Sequence, residues 1–255
     1  MINRAGDRAS FWILLFIIIT FFSPQITSKG VVLGQETGEI IFRVLYANSN
    51  RYVEAAALAH VLAVALIILL IRYGNKVRFL FDVFIAGDYI IIAFLQNIAT
   101  IESYGFSIIT SNVVIFLMLG IMWMNESFNP RNDFTFRKLP LWRYWPIPLA
   151  LLAFWFPAGP SGEIDFNPTY LLTSDFGVAF CLTTPVVLAI LTLIYPLVNK
   201  KVFLATCSAG VLYGIYNLQL PLFFEPKTWW VSGVLHVPLF SISLYGLLLS
   251  RILRR

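Results

Sequence analysis

The sequence predicts an all-α fold: a polytopic integral membrane bundle of about eight transmembrane helices, both termini cytoplasmic, set in a cell membrane. Three observations predict it. Of 255 residues, 59% are hydrophobic and 12% charged, against about 25% charged in an average soluble chain. Apolar runs approaching the 20 or so residues that cross a hydrocarbon core as a helix recur along the chain. The basic residues alternate in placement. With both ends inside, 14 of the 18 Lys and Arg residues fall on the cytoplasmic side, and only Lys29, Arg43, Arg51 and Lys227 fall outside. Every inner connection is then basic, which is the positive-inside rule.

The spans follow in order. Span 1, 11–28, is preceded by Arg4 and Arg8 and resembles a signal sequence, but no small-x-small cleavage site follows Phe22, so it reads as a retained anchor. Pro24 is expected to kink its far end. Residues 29–54 form an outer linker in which Glu39 to Tyr46 has the makings of a short interfacial helix. Span 2, 55–71, is closed by Arg72, Lys76 and Arg78. Span 3, 81–100, carries Asp88, Gln96 and Asn97 among isoleucines and phenylalanines. An ionisable group at the centre of a span costs roughly 3 kcal/mol on the insertion scale and faces protein or water.

At 100° per residue, Asp82, Ala86, Tyr89, Ala93, Gln96 and Thr100 share one small, polar stripe with Asn97 beside it, while Asp88 lies on another flank. Polar groups on two sides place this helix centrally. Span 4, 106–124, follows a turn at Glu102 and Ser103. Span 5, 142–157, is aromatic and aliphatic and is expected to face lipid behind the interfacial run Leu139 to Pro146. Span 6, 176–197, is expected to break at Pro185. Spans 7 and 8 cover 202–222 and 229–250.

The 23 Phe, 11 Tyr and 7 Trp suit lipid-facing surfaces and interfacial belts. The net charge of +5 sits at span ends, which points to anionic lipid and not to nucleic acid. The chain reads as a single transmembrane domain, 1–255. Cys181 and Cys207 give no disulfide framework and fall at different depths. No Walker A loop, Gly-x-Gly-x-x-Gly, Gly-x-Ser-x-Gly or His-Glu-x-x-His occurs. Gly87-Asp88 lacks the first glycine of an intramembrane aspartyl protease motif, since Ile85 stands there, and a partner carboxylate on another span is missing. The protein is therefore read as non-catalytic, with no cofactor.

His60, Gln96, Asn97, Asn112, Tyr213, Asn217 and His236 fall in the outer half of their spans and are the candidate ligand-binding residues. Asp88, about 10 Å from the cytoplasmic side at 1.5 Å per residue, is a candidate proton or cation site. The function expected is binding, with transport as its use, of a small polar or amphiphilic solute in the outer half of the bundle. Two alternatives stand beside it: a non-catalytic accessory or scaffold subunit of a larger membrane complex, and an electron-transfer subunit with b-type heme between His60 and His236. Thr206, Gly210 and Gly214 form a small-xxx-small ladder that lets backbones approach, within this chain or toward a second copy.

Overall fold

Apolar periodicity alone makes long helices, and helices dominate the computed structural model, which describes residues 5–34, 36–159, 161–223 and 229–253. Arg4, Lys227, Arg254 and Arg255 lie outside the described residues, as does the side chain of Ser232. The elements are α1 (Ala9–Phe22), β1 (Gln25–Thr27), β2 (Gly30–Val32), α2 (Glu36–Asn48), α3 (Val53–Tyr73), α4 (Arg78–Leu95), β3 (Ile98–Ile101), β4 (Gly105–Ile108), α5 (Thr110–Phe128), α6 (Pro146–Trp155), α7 (Phe180–Ile194), α8 (Lys200–Phe223) and α9 (Val237–Ile252). Three helical runs are long and apolar enough to cross a membrane: Val53–Lys76, Thr110–Phe128 and Trp229–Ile252.

The fold is not purely helical. The strands form one antiparallel sheet in the order β2-β1-β4-β3, pairing residues from both sides of α2, α3 and α4. Three expected spans change as a result. Span 1 stops as a helix at Phe22, because the residue before Pro24 is driven to extended backbone, and Ser23 is extended. Span 3 stops at Leu95, so Gln96 caps it and Thr100 sits on a strand. Span 4 begins at Thr110, and Phe106 is on β4. The β-branched and aromatic residues Ile26, Val31, Ile98, Ile101 and Phe106 favour strands, and hairpin turns interrupt the helical pattern. Gly105, at φ +70, turns the β3-β4 hairpin, and a Cβ there would run into Ser28.

The sheet turns polar side chains inward. Gln25, Thr27 and Ser107 are buried, while Ile26, Val31 and Phe106 are exposed. Gln25 has a reason to be inside: its Oε1 accepts the N–H of Thr110 at 3.0 Å, capping the start of α5. Helix α2, longer than the Glu39 to Tyr46 stretch expected, packs Ile40 and Val44 on Ala99, Ile101 and Ile109. Its last residue, Asn48, donates to the carbonyls of Gln96 and Ile98.

Connections alternate between two ends. At one end lie the sheet, α2 and the segment before α7, joined where the Asn50 N–H meets the Asp175 carboxylate. At the other end Asn75 donates to Asp133, Asp133 N–H to the Leu197 carbonyl, and Asn199 to Glu126. The buried Arg143 guanidinium, just before α6, caps the carbonyls of Thr192 and Tyr195 where α7 ends.

Helix α4 carries buried residues on both flanks, including Asp82, Ala86, Asp88 and Tyr89. The most enclosed helix is nevertheless α7, buried except at Cys181 and Leu193. It runs unbroken through Pro185, so the expected break does not form. Span 5 is helical over only 10 residues. It is half in and half out: Ala150, Ala153 and Phe154 are buried, while Ile147 and Leu151 are exposed.

The ladder on α8 is filled by α9 of the same chain. A Cβ at Gly214 would come within 2.9 Å of the Phe240 Cα, and one at Gly210 would meet Ser243. Gly246 faces Cys207 in turn, so α8 and α9 run antiparallel.

Candidate outer cavity

A cavity of about 560 Å³ lies between α1, α2, α5 and the C-terminal half of α8, within the range of about 300–1,000 Å³ usual for small-molecule sites. Its construction starts from helix ends. Helix α4 stops at Leu95, which leaves Gln96 at the mouth of the sheet. The Gln96 Oε1 accepts the N–H of Phe180, the first residue of α7, at 3.0 Å. The amide NH₂ of Gln96 has no protein acceptor among the described residues.

Behind this residue a chain of amides crosses three elements. Asn97, fully buried, donates to the Ile92 carbonyl at 2.9 Å and accepts from Asn112 Nδ2 at 2.8 Å. The Tyr213 hydroxyl donates to Asn112 Oδ1 at 2.8 Å. Asn217, one turn on, donates to the Tyr213 carbonyl at 2.8 Å. Each bond satisfies a polar group that would cost about 1–3 kcal/mol if buried unpaired. Phe116 and Phe180, stacked with centroids 4.5 Å apart, form an aromatic wall, and Tyr213 packs on both.

The structure thus brings together Gln96, Asn112, Tyr213 and Asn217 as lining residues, with Asn97 holding Asn112 from behind. It does not bring the histidines or Asp88 to this cavity. His60, on α3, is fully buried between Phe154 and Phe176. Its Nδ1–H donates to the Ala56 carbonyl at 2.8 Å, and its Nε2 lies 3.1 Å from Ser174 Oγ. His236 precedes α9, and its Nδ1–H donates to the Val231 carbonyl at 2.7 Å. The ring nitrogens of the two histidines turn to separate partners: Ala56, Phe154 and Ser174 for His60, and Val231 for His236.

Asp88 is 4% exposed and its Oδ2 has no hydrogen-bond partner, so neither a bond from a neighbouring span nor a snorkelling cation pairs that oxygen. Gly177 and Ala59 pack beside it. A second cavity, about 300 Å³ and lined only by apolar residues such as Val64, Leu151 and Ile190, separates α3 from α6 and α7.

Sequence reasoning missed the opposite wall of the outer cavity. Thr20 and Phe21 at the end of α1, and Leu33, Thr37 and Gly38 leading into α2, belong to it. The signal available was the cluster of small residues Gly34, Thr37 and Gly38 in a segment otherwise amphipathic. No group of three or more His, Cys, Asp or Glu residues is placed to hold a metal ion among the described residues. No family model, curated protein or solved structure matches this chain.

Proposed function

We propose that this chain crosses the membrane eight times with both termini cytoplasmic, and that its outer cavity binds a small polar or amphiphilic solute, with transport as the use of that site. Several features support the topology. The connections alternate between two ends, the basic residues concentrate on one side, and three helical runs have the length and composition of spans. Of the remaining crossings, α8 has 24 residues, while α1, α6 and α7 are shorter. Helix α1 has 14 residues, roughly 21 Å at 1.5 Å per residue, and β1 extends it toward the outer surface.

One observation carries the binding proposal. Gln96, Asn112, Tyr213 and Asn217, from three separate stretches of sequence, line a single cavity of about 560 Å³. Packing polar residues only to glue helices leaves no such space. Asp88 lies away from the cavity as a buried carboxylate with an unpartnered oxygen, which suits a proton site coupled to movement of the solute.

The test is solute uptake into proteoliposomes and solute-induced thermal stabilisation, measured for the unaltered chain, Asn112→Ala and Asp88→Asn. Loss of stabilisation in Asn112→Ala and loss of uptake in Asp88→Asn are expected. Unchanged behaviour in both variants overturns the proposal, and a reporter fusion placing the C-terminus outside overturns the topology.

A further inference from the structure

The chemistry of the cavity wall narrows what it holds. Among the described residues that line it there is no Asp, Glu, Lys, Arg or His. An ion entering it would lose hydration without gaining a counter-charge, at a cost of several kcal/mol or more. The polar capacity present is neutral: the Gln96 amide NH₂ and the Asn112 and Asn217 side-chain carbonyls are among its groups. Such groups bond to a hydroxyl or an ester carbonyl. The rest of the wall is aromatic and aliphatic.

The mouth matters as much as the wall. The large apolar lining residues that reach the surface are Phe21 (75% exposed), Leu33 (67%), Ile215 and Tyr216 (both 42%). They lie on the ends of α1, the approach to α2 and the outer half of α8. These four are aromatic or aliphatic, as at an acyl-chain boundary, and the exposed Gln219 sets one uncharged amide among them. Deep in the cavity the residues become polar at Asn112 and Gln96. A ligand matched to this gradient is apolar at the rim and hydroxylated at its inner end.

Resting on the cavity's role as a binding site, we infer that the ligand is an uncharged amphiphile, a lipid-like molecule with a hydroxyl or ester head, which enters from the outer leaflet between α1, α2 and α8. The head bonds to Gln96 and Asn112, and the tail leaves past Phe21 and Ile215.

The test uses the full chain in nanodiscs with three probes: dioctanoylglycerol, the dioctanoyl phosphatidate with the same tails and a charged head, and glycerol, the head alone. Gly38 lines the cavity, and a Cβ there meets nothing within 4 Å. Gly38→Leu therefore fills the cavity without a backbone clash and gains helix propensity. Gly87→Leu, equally open and outside the lining residues, is the control.

Saturable binding of dioctanoylglycerol is expected, weakened about tenfold or more by Gly38→Leu and less than about twofold by Gly87→Leu, a tenfold loss being ~1.4 kcal/mol. Phosphatidate is expected to bind at least about tenfold more weakly, and glycerol not measurably. Binding of glycerol or phosphatidate as tight as that of the neutral lipid, and sensitive to Gly38→Leu, overturns the inference while leaving a solute site in place. Absence of Gly38-sensitive binding by any probe overturns both.

Discussion

The Tyr213 hydroxyl on α8 donates to the side-chain carbonyl of Asn112 on α5 across 2.8 Å, and this bond ties the two walls of the outer cavity to each other. Asn112 in turn donates to Asn97, so one residue serves two partners. Tyr213→Phe should remove one bond and cost about 1 kcal/mol. Asn112→Leu should strand both the Asn97 carbonyl and the Tyr213 hydroxyl and cost about 2–4 kcal/mol. Thermal unfolding in detergent should rank Asn112→Leu well below Tyr213→Phe, and equal losses would show that the chain is not cooperative.

Two fully buried acids, Glu126 and Asp82, should respond in opposite directions. Glu126 accepts the N–H groups of Arg131 (2.5 Å) and Asn132 (2.6 Å) on one oxygen and Asn199 Nδ2 (2.5 Å) on the other. Glu126→Gln turns an acceptor into a donor facing donors, and should cost about 3 kcal/mol. Asp82 is equally buried, and among the described residues neither of its oxygens makes a well-aligned hydrogen bond, although Asn132 and Arg78 lie near it. Asp82→Asn should be neutral or stabilising, because it removes a carboxylate that burial leaves uncompensated. Unfolding midpoints of the two variants measure this. A fall for both would mean that Asp82 has a partner in the membrane-embedded protein.

Gly214→Ala should be destabilising by about 1–3 kcal/mol, since the added methyl meets the backbone of α9 and not a movable side chain. Gly87→Ala, whose Cβ has open space, should be neutral to slightly stabilising in the same measurement.

Asp133 gives the end of the bundle opposite the sheet a dependence on acid. The Thr135 hydroxyl and the Asn75 amide, both at 2.6 Å, hold its carboxyl below the ordinary carboxylate range. A depressed folded-state pKa means the contribution is present above the unfolded value of 3.8, and is lost as pH falls through that value and then the folded one. The group is close to solvent, so the effect should be modest. Asp133→Asn should flatten the acid limb of the unfolding-midpoint profile below about pH 4; an unchanged limb would locate the acid sensitivity elsewhere.

The sequence by itself determined that helices dominate and where the apolar runs fall, because 3.6-residue periodicity and a low charge density are local properties. It also singled out Gln96, Asn97, Asn112, Tyr213 and Asn217 as polar residues out of place in apolar runs. Only the tertiary structure decided which of these meet. Depth along a helix can be counted, but azimuth and neighbour choice depend on packing among all the helices. Asn112 therefore reached Tyr213 across 101 residues, while His60 and His236 turned to separate backbone carbonyls. The sheet was hidden for a similar reason. Strands three or four residues long have no periodicity to recognise, and they exist because β1 found β4 some 80 residues later, a pairing set by the fold and not by either segment alone.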